Sequence, residues 1–153
     1  MNFRLAPLLF VLPCLTTVAL FAQDAKPGGK QLGSAVFDWN KLTVTKTANG
    51  GERRAIVDAA TATMPRFESH VTTLAAGGAA HAPHRHPDEE VVIVKEGTIE
   101  VNINGKLETA GAGSLFFFGS NDVHGMKNTG STPASYFVIR IVTAATPPTA
   151  PAQ

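Results

Sequence analysis

Residues 98 to 110 read TIEVNINGKLETA, and this stretch decides the fold class. Ile99, Val101 and Ile103 fall on one side of an extended chain, with Glu100 and Asn102 on the other. Successive side chains of a strand point to opposite faces, so the alternation predicts a strand with one buried side. Asn104-Gly105 follows, a pair that accepts the left-handed backbone of a two-residue type I′ turn, and KLETA reads as the return strand. Similar segments recur outward in both directions. EVVIVK (90–95), SLFFF (114–118) and SYFVIRIV (135–142) are short β-branched or aromatic runs bounded by Gly, Asn, Asp or Pro. LTVTKT (42–47), RRAIV (53–57) and FESHVTTL (67–74) add three more. No window after residue 22 carries a long apolar stripe at helical spacing. About eight strands joined by tight turns predict an all-β antiparallel barrel or sandwich.

Composition narrows the function classes. The chain has 153 residues, enough for one domain and too few for two ordinary ones. Hydrophobic residues make up 44% and charged residues 16%, which is apolar enough for a core and too weakly charged for a disordered chain. Lys plus Arg number 13 against 12 for Asp plus Glu, so no basic excess exists to hold a phosphate backbone and a nucleic-acid partner is not expected. One cysteine excludes a disulfide framework and a cysteine-only metal cage.

Residues 1–22, MNFRLAPLLFVLPCLTTVALFA, have the layout of a secretory signal: Arg4, an apolar run from Leu5, and small Ala22 before Gln23. The run is short for a membrane span and is broken by Pro7 and Pro13, which weighs against a retained anchor. A lipid-modified Cys14 is disfavoured because Pro13 precedes it and the apolar run continues past it. The expectation is a periplasmic or secreted protein, free of cysteine and of the membrane after cleavage. Residues 23–34 read as a flexible, glycine-rich lead-in, 35–143 as the single barrel domain, and 144–153 as a disordered Thr/Ala/Pro tail.

The chemistry-bearing stretch is GAAHAPHRHPDEEVVIVKEG, residues 78–97. His84 and His86 are one residue apart, so on an extended chain both imidazoles project from one face and can share an ion. Glu90 keeps that parity only if Pro87-Asp88 inserts no bulge. His124, in the turn-rich GSNDVHGMKN just before a further strand, is the only histidine on the C-terminal side of the cluster. Spacing alone leaves two readings open, a metal site or solvated loop histidines beside an acidic turn.

A family resemblance separates them. The segment resembles the first motif of the cupin superfamily, G-x5-H-x-H-x3-E-x6-G, at Gly78, His84, His86, Glu90 and Gly97. The second motif, G-x5-P-x-G-x2-H-x3-N, is matched at Gly113, His124 and Asn128. Gly119 stands where the family has Pro, and Asn121 where it has Gly. Asn tolerates the left-handed backbone, whereas loss of the Pro should loosen the turn that presents His124. The resemblance implies a cupin-type, jelly-roll-like barrel holding one divalent transition metal ion on His84, His86, Glu90 and His124. Such a ligand set, without thiolate, suits Mn, Fe, Ni, Cu or Zn.

Other polar residues carry weaker signals. His81 and Asp88 read as surface loop residues, and Glu89 as solvent-facing. Glu68 and His70 share parity and could point inward as an acid/base pair, although an outer face is the commoner placement. Tyr136 and Arg140 share a strand face, where an inward Arg could clamp a carboxylate substrate. Phe116, Phe117, Phe118, Trp39 and Met126 read as core or pocket lining. Three functions fit: a metalloenzyme acting on a small organic molecule, with dioxygenase or other oxidoreductase chemistry slightly favoured; a non-catalytic metal- or ligand-binding module; and a non-redox, carbohydrate-handling protein of isomerase or lyase type. The resemblance also suggests a homodimer.

The leader gives the first testable expectation. N-terminal sequencing of exported protein should begin near Gln23, and a Met1 start in the membrane fraction would make residues 5–22 an anchor.

Overall fold

The computed structural model describes residues 31–150, so the leader and most of the lead-in lie outside the described residues. Nine strands form in chain order: β1 (Val44–Lys46), β2 (Glu52–Ala59), β3 (Arg66–Leu74), β4 (Glu89–Glu96), β5 (Thr98–Ile103), β6 (Lys106–Gly111), β7 (Leu115–Phe118), β8 (His124–Asn128) and β9 (Ala134–Val142). One sheet runs β1-β2-β3-β9-β4-β7 and the other β6-β5-β8, and every strand pair is antiparallel. Leu74, Val92, Val94, Phe116, Phe118, Tyr136 and Val138 of the first sheet share one core with Ile99, Val101 and Met126 of the second. The all-β, single-barrel architecture expected from the pattern is what the chain adopts.

The deciding stretch folds as its sequence requires. Asn104 and Gly105 have φ of 51° and 88°, and Ile103 pairs with Lys106 across them. Ile99 and Val101 are buried while the Glu100 side faces outward, which fixes the register against β8. Two aromatic assignments change. Phe117 is exposed between buried Phe116 and Phe118, because a three-Phe strand must turn its middle ring to the opposite face. Trp39 is no pocket residue. It lies outside the sheet, tilted against Phe137 and covered by the Arg54 guanidinium 4.3 Å from its ring centre.

Residues 143–150 carry no strand, as their prolines demand, yet they are tethered to the barrel. Asn121 accepts from the Ala150 amide at 2.7 Å and donates to the Pro148 carbonyl at 3.3 Å.

Gly97 makes the β4–β5 reversal possible. Its φ is +80°, and a Cβ there would meet the Ala134 Cβ at 2.5 Å and its Cα at 2.7 Å. Ala134 is fully buried on β9 and has nowhere to move. Gly97→Ala should therefore lower stability by about 2–4 kcal/mol, strain and overpacking combined, read as a shift in the urea midpoint at unchanged slope.

Candidate functional site

The site is assembled by one non-local backbone pairing. His84 N–H donates to the His124 carbonyl at 2.9 Å, and His124 N–H returns a bond to the His84 carbonyl at 2.8 Å. This bridge lays the β3–β4 connection alongside β8, and directly opposed residues of an antiparallel pair project to the same face. His86, two residues on, joins them. The coordinating nitrogens of His84, His86 and His124 all lie within 4.8 Å of one another. His124 opens strand β8 instead of preceding it in the turn, since its amide and carbonyl already belong to the ladder.

The surroundings orient the rings. His86 Nδ1 lies 2.9 Å from the Asp88 carbonyl, and His124 Nδ1 lies 3.0 Å from the Asp122 carbonyl. A carbonyl only accepts, so each Nδ1 carries the proton, and the His124 Nε2 lone pair is left for the interior. His124 Nε2 is buried and has no hydrogen-bond partner among the described residues. An orphaned acceptor of this kind costs stability unless a ligand meets it. Phe118 stacks on the His124 ring at 4.2 Å with an 8° interplanar angle and closes one wall. His84 is the exposed member, with the outlying His81 ring edge-on at 4.2 Å.

Glu90 is buried on β4 and stands beside the trio. Its Oε2 is 3.2 Å from His86 Nε2, so Pro87-Asp88 leaves it on the interior side, and the 4.8 Å grouping comprises the three imidazoles alone. Burial and the neighbouring His81, His124 and His86 push the His84 pKa down to about 4. Burial also lowers that of His124. Burial opposes charge on His86 as well, but its bond to Glu90 and the charge of Asp88 outweigh that and raise its pKa. A cluster in which burial disfavours charge on His84 and His124, with a carboxylate against His86, is chemically suited to a divalent transition metal.

The turn missing the family's Pro is braced by other bonds. Asn121 N–H donates to the His86 carbonyl at 2.8 Å, and the Ser120 hydroxyl to the Pro87 carbonyl at 2.6 Å. Asn104 of the β5–β6 hairpin donates to Asp122 at 2.8 Å and accepts from the Val123 amide at 2.9 Å. Asn121 has φ of 63°, the left-handed conformation expected of it. Asn128 is a fixing residue too: wholly buried, it donates to the Ala75 and Thr132 carbonyls at 3.1 and 2.7 Å.

Two residues set aside on sequence matter here. Asp88 is 4% exposed, no surface loop residue, and accepts two bonds from Arg140 at 2.6 and 2.8 Å. Arg140 does point inward, but its guanidinium clamps the protein's own carboxylate. The Asp88 carboxylate also comes within 3.3 Å of His86 Nδ1, so the pair buttresses a cluster histidine. Glu68 and His70 likewise face inward. Their bond is 2.8 Å long, and Arg53, which no sequence signal marked, donates to the same Glu68 oxygen at 2.7 Å.

Comparison with known proteins supplies the family. Residues 70–140 match the cupin domain. The chain belongs to the cupin superfamily. Its fold resembles an RmlC-like cupin from Shewanella frigidimarina (17% identity, 76% of this chain and 97% of that one, TM-score 0.62). It also resembles a predicted oxalate decarboxylase from Thermotoga maritima (20% identity, 71% and 99%, TM-score 0.60). A third likeness is to the polyketide cyclase RemF from Streptomyces resistomycificus (18% identity, 72% and 80%, TM-score 0.59). No curated protein matches the chain. At these identities the structural likenesses establish the shared cupin fold, and the different activities in their names leave the chemistry of this cupin to be argued from its own residues.

Burial disfavours charge on Asp88, yet the Arg140 bonds and charge outweigh this and lower its pKa below the ordinary 3.8. A carboxyl depressed in the fold stabilises it above the unfolded pKa, and that contribution is lost as pH falls through the folded value. Asp88→Asn should cost about 3 kcal/mol at neutral pH, the scale for breaking a largely buried pair. The deficit should shrink as denaturation is repeated at pH values descending below 3.8.

Proposed function

We propose that this cupin binds one divalent transition metal ion through His84, His86, His124 and Glu90 and acts on a small organic molecule. The observation that carries the reading is the orphaned, buried His124 Nε2 within a group of three imidazoles whose nitrogens lie within 4.8 Å. Bound there, the ion would supply a Lewis acid toward a carbonyl or carboxylate and, if iron or copper, a redox centre. The chain's own residues supply the rest. The Asp88 and Asp122 carbonyls hold two rings in the metal-accepting tautomer. Buried Phe118, stacked on His124, shuts water out on one side, while exposed His84 leaves an approach from outside.

Open access and an inward acid/base group support an enzyme over a sealed structural ion. The inward Glu68–His70 pair also favours proton-transfer chemistry alongside the oxygen-dependent reactions that the ligand set would allow. The leader adds work in the periplasm or outside the cell, and a homodimer is part of the same reading.

Elemental analysis of exported protein should find one divalent ion per chain. His84→Ala and His86→Ala should each lose it, and full occupancy in both would overturn the site. Glu90→Gln keeps an oxygen but removes a negative charge. It should weaken metal affinity by about 10–100-fold or more, measured by competition with a chelator.

A further inference from the structure

The inner face of the six-stranded sheet carries a second polar group apart from the histidine cluster. On β3, His70 lies level with Val138 of β9 and Val92 of β4, both core residues, so His70 and Glu68 share the interior side. Glu68 is 3% exposed, and His70 and Arg53 both converge on its Oε1. Its Oε2 is buried with no partner among the described residues. A purely structural ion pair would satisfy both oxygens. A buried carboxylate oxygen left bare is a place for a ligand's donor.

The protonation pattern follows from the bonds. Burial disfavours charge on Glu68, but the His70 bond and the charges of His70, Arg53 and Arg140 prevail and hold its pKa below the usual range. An ionised carboxylate only accepts, so His70 Nδ1 carries the proton. His70 Nε2 enters no side-chain hydrogen bond among the described residues.

Glu68 and Glu90 are both cross-strand partners of Arg140, on either side of it in one row of the sheet. Two strand spacings put their backbones about 10 Å apart, with the inward Arg140 side chain between them.

We propose that Glu68 and His70 form a proton-transfer site for small hydroxy-carbonyl compounds. A substrate hydroxyl donates to Glu68 Oε2. His70 Nε2 removes the proton from the carbon next to the carbonyl: the N–H bond forms, the C–H bond breaks, and its electron pair moves into the carbon–carbon bond as the carbonyl pair shifts to oxygen. The imidazolium is stabilised by Glu68 until the proton returns to carbon, so nothing is consumed. The site deepens the proposed small-molecule function and rests on it, but it is tested separately.

The test is deuterium wash-in. Full-length mature protein, assayed for metal in the same samples, is incubated in heavy water with dihydroxyacetone, D-fructose and D-glucuronate and followed by proton NMR. At least one compound should lose its signal beside the carbonyl. His70→Gln should slow the exchange by about 100-fold or more, the scale of general acid–base catalysis, with metal content and thermal transition unchanged. Glu68→Gln should slow it by about 10-fold or more, and a nitrogen-15 spectrum should show its His70 losing the preference for Nδ1–H. Exchange no faster than in buffer with all three compounds overturns the pair, as does undiminished exchange in His70→Gln. Metal bound without exchange leaves the metal site standing and removes only this inference; absent metal removes the metal site whatever the exchange.

Discussion

The mutual backbone bonds between His84 and His124 are the constraint on which the site depends. They join residues forty positions apart and convert a loop into an added edge of the smaller sheet. With that edge in place the imidazoles converge without any of them leaving an extended backbone. The neighbouring bonds all guard the same registration. Asn121 and Ser120 bind the His86–Pro87 carbonyls, Asn104 holds the Asp122–Val123 turn, and Asn128 ties the far end of β8 to the start of the same loop. A one-residue slip would turn His124 to the opposite face, and the three nitrogens would no longer meet.

Packing and charge share the interior unequally. The second sheet contributes Ile99, Val101 and Met126 to a core in which Tyr136 and Phe118 are almost wholly buried. The charged residues lie together in one row: Asp58, Glu68, Arg140 and Glu90 succeed one another across β2, β3, β9 and β4. The positive charge of Arg140 between Glu68 and Glu90 is what makes the row tolerable. Arg140 stands between two carboxylates and binds a third, Asp88, with a two-pronged geometry that few other side chains can supply. The row costs desolvation that apolar residues would avoid, and a barrel built for stability alone has no reason to keep it.

Local pattern reached the strands because each is short, alternating and bounded by turn residues. TIEVNINGKLETA carries its own register in the Asn104-Gly105 turn. The clustered histidines were legible for a similar reason: His84 and His86 need only strand parity to share a face. His124 joined them only by resemblance to a family motif, since no local rule relates positions so far apart. Asp88 and Arg140 were not paired in advance because their contact depends on β4 lying beside β9, a neighbour relation set by the topology of the whole sheet. Trp39 and Phe117 were misassigned by hydrophobicity alone. An edge strand and a covering segment leave such rings half in solvent, and composition does not record which face of a sheet is outermost.

Two polar groups on facing parts of one interior impose an order on any chemistry there. The unpartnered His124 Nε2 presents a lone pair and can accept only a cation or a hydrogen-bond donor, while Glu68 Oε2 can accept only a donor. Neither place suits a bare anion. An acidic substrate would need its carboxylate neutralised at the cluster, which an ion held by the three imidazoles would do, because Arg140 and Arg53 are already engaged by Asp88 and Glu68. On the reading proposed above, a carboxylated ligand would therefore depend on an ion at the histidine cluster, because both arginines of this interior are already paired.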